Sequence, residues 1–144
     1  MQPKQKKGRL KMTWQLKRKD TGETLALPAD LQWQDELEWS AVAQAAPQRT
    51  LSGALVIQQG VKQNGRPVTL AGDWAWHKKA DLLRLREWGD AAGLMMTLTL
   101  SDSRSFDVVF RLHEKQFGKI EAVAFASPEA GDAPYLATIN LMTV

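Results

Sequence analysis

The stretch MMTLTLSDSRSFDVVFR, residues 95–111, decides the fold. Met96, Leu98 and Leu100 alternate with Thr97 and Thr99. Beyond Ser101, Asp102, Ser103 and Arg104 the period of two resumes, with Phe106, Val108 and Phe110 against Asp107 and Arg111. Successive strand side chains point to opposite faces, so this is a β-hairpin with one face built for burial and a mixed face for water or a partner. Its tip is turn chemistry. Ser101 and Ser103 flank an aspartate in a tight connection, and no G-x-S-x-G context makes either a nucleophile.

Working outward, residues 119–125 and 135–144 read as further strands separated by the loop SPEAGDAP. Upstream, residues 79–88 form the one convincing helix: Leu82, Leu85 and Trp88 make an apolar stripe, Asp81 suits the first turn, and Gly89 or Gly93 can end it. No Ser, Thr or Asp caps its start. Met12, Trp14 and Leu16 alternate, the residues KDTGE turn the chain, and Leu25 and Leu27 resume the pattern as a second hairpin. Residues 28–50 are ambiguous. Trp33, Leu37, Trp39 and Ala41 fit a period of two, while the i,i+4 pair Trp33 and Leu37 fits a helix, and strands are the favoured reading. Leu51, Leu55 and Ile57 predict a strand over residues 50–58 buried on both faces. The Asn64-Gly65 pair then predicts a turn into a return strand starting at Val68. Together these elements predict a mainly β fold, an antiparallel β-sandwich or open barrel with one flanking α-helix at about residues 79–88. Residues 11–144 form the single domain, preceded by a basic arm over residues 1–10.

Composition removes several functional classes. With no cysteine, disulfides, thiolate nucleophiles and Cys-based zinc sites are excluded. No apolar run is long enough for a membrane span, and the N-terminus lacks the apolar core of a signal peptide, so the expectation is a cytoplasmically made, soluble protein. Neither GxGxxG nor a P-loop occurs. His77 and His113 are isolated, and the carboxylates Asp35, Glu36 and Glu38 read as a solvated edge, not a metal site. The expectation is a protein without catalytic residues, cofactor or metal.

Charge and tryptophan remain to be explained. Residues 1–20 hold eight basic side chains and one acid, a net +7, whereas residues 21–144 hold 11 basic and 15 acidic ones, a net −4. The basic arm, with Lys4, Lys6, Lys7 and Arg9, can bind phosphates, dock on an acidic protein or stay solvated. Of six tryptophans, Trp14 and Trp88 read as core, Trp33 and Trp39 stay open, and Trp74 and Trp76 are candidates for a protein interface. Exposed tryptophans also suit stacking on sugars or single-stranded nucleic acid, so a monomeric carbohydrate- or nucleic-acid-binding β-module is the alternative reading.

From residue 51 onward, the order TLSGALVIQQ, GRPVTLAG, WAWHKKADLLRLREW, GLMMTLTLSDSRSFDVVFR and PYLATINLMTV resembles the small tail-tip and baseplate proteins of long-tailed bacteriophages, particularly those related to the distal tail protein and the tail-tube fold. The resemblance implies a non-enzymatic virion protein, assembled in the host cytoplasm. Its partners would be further copies in a ring, presumed six-fold by the family pattern, with tail-tube and hub or baseplate proteins on either side. It places the 95–111 hairpin and the 135–144 strand in a β-sandwich and residues 79–88 in its flanking helix. Long distal tail proteins carry a C-terminal carbohydrate-binding-like domain, so with the sequence stopping at Val144 host binding is expected to fall to other proteins. An acidic body suits a channel through which DNA slides without specific binding. The basic arm would then face an acidic neighbouring ring.

Overall fold

The computed structural model describes residues 14–123 and 129–144. In chain order the strands are β1 (Gln15–Arg18), β2 (Thr24–Ala26), β3 (Gln32–Trp33), β4 (Val42–Gln44), β5 (Gln48–Arg49), β6 (Leu55–Val56), β7 (Gln59–Val61), β8 (Pro67–Ala71) and β9 (His77–Lys78). Helix α1 (Lys79–Gly89) follows, then β10 (Met96–Thr99), β11 (Ser105–Phe110), β12 (Phe117–Ala122) and β13 (Pro134–Thr143).

The fold is mainly β with antiparallel pairing and one helix among the described residues. The long strand β13 is its spine. On one side it pairs first with β12 and then with β11, and on the other with β9 and then β8, so each neighbour is one extended run interrupted in the middle. The main sheet runs β2-β1-β10-β11-β13-β8-β3. Its registers set Leu16 opposite Leu98, Leu98 opposite Phe106, Met96 opposite Val108, Phe110 opposite Leu141, and Ile139 opposite Leu70. Residues directly opposite share a face, so these chains line one apolar surface. Leu82, Leu85 and Trp88 of α1 join the same buried cluster and cover that surface.

The sheet curls without closing into a barrel. Trp33 on β3 meets Phe106 on β11 edge to face with ring centroids 5.5 Å apart, although β8 and β13 lie between their strands. Three strand spacings in a flat sheet would span about 14 Å. Curvature therefore brings the two aromatic rings together on the concave side.

Helix α1 begins without a side-chain cap. The N–H groups of Lys79 and Ala80 instead donate to the carbonyl oxygens of Ala133 and Gly131, at 3.1 and 2.9 Å. The loop leading into β13 thus satisfies donors that a capping serine would otherwise take.

Two expectations are corrected. Residues 50–58 are not a strand buried on both faces: they form the tip and one limb of a two-stranded ribbon, and every residue from Ser40 to Val61 is exposed. The Asn64-Gly65 pair does not turn that strand into β8. β8 pairs with β13 and β3, while residues 62–66 lead from the ribbon into the body. In residues 28–50 the strand reading holds only for short pieces, since β3 ends at Trp33 and turns occupy the following residues, leaving Leu37 95% exposed.

Candidate assembly surface

The ribbon is the feature that the body's own packing leaves unexplained. β4 pairs only with β7 and β5 only with β6, and the N–H of Lys62 donates to the carbonyl of Ala41 at 2.8 Å to close its base. At the tip, Thr50 accepts from Gly53 N–H at 2.9 Å, donates its own N–H to Ala54 at 2.8 Å, and lends its hydroxyl oxygen to the Ala54 N–H at 3.1 Å. Gly53 has φ +90°, a left-handed conformation that favours glycine. Pro47, with no N–H to give, sits where the ladder is interrupted between β4 and β5. Among the described residues nothing pairs with either long edge of this ribbon, and Val42, Leu51, Leu55, Val56, Ile57 and Val61 are all exposed. A two-stranded ribbon is marginally stable in water, and apolar side chains along it gain nothing until something covers them.

Its root is fastened by cations on aromatic rings. The Lys62 ammonium lies 5.1 Å from the Trp39 ring centre, and the Arg66 guanidinium lies 4.4 Å from Trp33 and 5.9 Å from Trp39. Arg66 also donates to the Glu36 carbonyl at 2.9 Å, and Trp33 donates its indole N–H to Pro67 at 3.2 Å. From the 95–111 hairpin, Arg104 reaches across to the Glu36 carboxylate at 2.9 Å. The segment between β3 and β4 is therefore held from both sides of the curled sheet.

Beneath it lies a polar bracket. Asp35 accepts from both the N–H and the hydroxyl of Thr69, at 3.0 and 2.8 Å; Arg111 donates to the Thr69 hydroxyl at 2.6 Å and to the Asn140 side chain at 3.0 Å. Asp35 is thus a structural acceptor. With Asp35 on Thr69 and Glu36 turned to Arg104, these two carboxylates do not converge, and no group of metal-ligating side chains gathers among the described residues.

A second concave feature lies between α1 and β12. Leu82, Leu83, Phe117 and Ile120 line a groove of about 350 Å³ together with Lys79 and Arg86. Leu83 and Ile120 are about half exposed there.

Trp14 and Trp88 are buried, as the sequence indicates, and Trp33 joins them. Trp74 is 77% exposed and Trp76 49%, on the loop ahead of β9, so both are available to a partner; the Trp76 indole donates to the Asp73 carbonyl at 3.3 Å. Lys4, Lys6, Lys7 and Arg9 lie outside the described residues. His77 is 2% exposed, its Nε2 has no partner among the described residues, and burial pushes it down to about 4 against a smaller raising pull from Asp81. An imidazole enclosed in this way is held in its neutral form. His113 is exposed beside Glu114. The Arg104 N–H, bonded to Asp102, holds that carboxyl below its usual range, as expected in a turn. The ribbon and its root escaped the sequence reading, although the small residues Ala41, Ala43, Ala45 and Ala46 with Pro47 mark a segment poor in core-forming bulk.

No known protein family, curated protein or solved structure matches the chain. No helix among the described residues is long and apolar enough to cross a membrane.

Proposed function

We propose that the chain is a non-catalytic structural subunit of a phage tail tip, forming a six-fold ring that connects the tail tube to the hub or receptor-binding parts. The observation that carries assembly is the exposed ribbon, residues 41–62, with two open edges and apolar side chains that none of the described residues covers. Neighbouring copies would cover it by adding strands to its edges and packing on its faces. A ring also requires two different patches on each subunit. The ribbon and the Trp74–Trp76 loop, which belong to different parts of the fold, are available for that purpose. The phage tail assignment rests on the resemblance of the element order, and with it come the tube and hub proteins as partners.

The alternative, a monomeric sugar- or nucleic-acid-binding module, needs a platform of several exposed rings. Trp14, Trp33 and Trp88 are buried, and Trp39 is half-buried beside Lys62 and Arg66, which leaves only Trp74 and Trp76. Native mass spectrometry of the full chain, alone and with tail-tube and hub proteins, is the test. We expect a closed oligomer. Replacing residues 42–61 with Asn-Gly, which the Ala41–Lys62 backbone bond permits, is expected to give a folded monomer with its circular dichroism otherwise retained. A full chain that stays monomeric with every tail component would end the proposal.

A further inference from the structure

Resting on that ring reading, we propose that Leu37 of one copy, with Glu36 and Glu38 beside it, seats in the groove between α1 and β12 of the next copy. The turn after β3 presents Leu37 almost fully to solvent, 95% exposed, between two acids. A leucine side chain held out in this way gains only when a pocket receives it. The groove has a matching composition: Leu82, Leu83, Phe117 and Ile120 are apolar, and the charged side chains lining it, Lys79 and Arg86, are both cations. Lys79 has no carboxylate partner among the described residues, its ammonium lying 6.0 Å from the Tyr135 ring centre, while Arg86 is shared with exposed Asp90 at 3.3 Å. Glu38 likewise has no side-chain partner among the described residues, and Glu36 shares Arg104.

Charge selects this occupant over the others the chain offers. The ribbon carries only Arg49 and Lys62 as charged residues, both of the groove's own sign, so Lys79 and Arg86 disfavour it there. The N-terminal arm, with Lys4, Lys6, Lys7 and Arg9, is basic and is disfavoured there for the same reason. Trp74 stands beside Asp73, yet it belongs to the loop that leads into the groove's own helix, and copies joined through it would share one end of the molecule as a two-fold pair. Leu37 follows β3, the last strand at one end of the sheet order, whereas the groove belongs to α1 and to β12 on the far side of β13. Two distinct patches on opposite flanks make a head-to-tail contact, the geometry a ring requires.

Because the chain has no cysteine, the contact can be trapped directly. Leu37→Cys and Leu83→Cys change exposed positions in separate proteins. Mixed and mildly oxidised, they should give a disulfide-linked pair that neither gives alone, and a protein with both changes should ladder up to the ring size. In parallel, Glu38→Lys or Lys79→Glu should each weaken association about tenfold, and the two together should recover it, an outcome that mere misfolding would not produce. If native mass spectrometry shows a ring but the mixture cross-links no better than the separate proteins, the seat is elsewhere and the ring reading stands. If no oligomer forms at all, the ring reading fails and this contact with it.

Discussion

The 95–111 hairpin and the 41–62 ribbon are both antiparallel pairs with alternating apolar side chains, and they meet opposite fates. In the hairpin, Met96, Leu98, Val108 and Phe110 are buried because β1 and β13 flank it and α1 belongs to the same core. In the ribbon, Val42, Leu55 and Val61 stay exposed because, among the described residues, no third strand and no helix adjoins it. Period alone thus says nothing of what covers a segment. What buries the strand is decided by residues far away in sequence, and for the ribbon those residues belong to other molecules in our reading.

The sharpest way to break this comparison is a matched pair of truncations. Leu98→Ala empties a fully buried site and is expected to lower unfolding free energy by about 3 kcal/mol. Val61→Ala on the ribbon, at an exposed position, should cost the isolated chain under about 0.5 kcal/mol. Urea denaturation of both variants measures the difference, and equal losses would mean that the ribbon is already covered within one subunit. Acid separates the regions by another route. His77 is neutral in the fold with its value at about 4, so the unfolded chain binds the extra proton and stability falls as pH drops from about 6.5 to 4. The loss is about 3 kcal/mol at its limit and levels off below that window. The ribbon, residues 41–62, carries no acid or histidine and contributes nothing to this slope. Thermal unfolding across that range should flatten in His77→Gln, and an unchanged profile would assign the slope to other groups. A smaller effect than that of Leu98→Ala is expected at the junction. Arg66→Ala removes the Glu36 bond and the stacking on Trp33 and Trp39, at about 1–2 kcal/mol. Tryptophan emission should shift to the red while association falls more than stability does. Unchanged association would show that the ribbon's direction does not depend on this clasp.

Much of the body is legible in the sequence because its signals are local. Leu82, Leu85 and Trp88 state the helical face, and Met96 to Phe110 state the hairpin, each within a dozen or so residues. The ribbon was misread because Leu51, Leu55 and Ile57 have the spacing of a buried strand, and spacing says nothing of cover. The clasp was out of reach for a different reason. Arg66 over Trp33, and Arg104 on Glu36, join residues that only the curl of the sheet brings together. Trp33 and Trp39 could not be assigned without that curvature. The polar bracket of Asp35, Thr69, Arg111 and Asn140 likewise looks like ordinary surface polarity until the registers of β8 and β13 bring it into line.

The missing cap on α1 bears on the order of events during synthesis. The carbonyls that complete the helix start come from Gly131 and Ala133, and the spine strand follows immediately at residues 134–143. While a ribosome is still making the middle of the chain, β8, β9, β11 and β12 have no common neighbour to pair with, and the helix start lacks the carbonyls of Gly131 and Ala133. β1, β2, β10 and β11 can pair beforehand, but β8, β9 and β12 join them only through β13, by contacts of long sequence separation that close slowly. On a growing chain the ribbon, residues 41–62, is therefore made well before the strand that ties the body together.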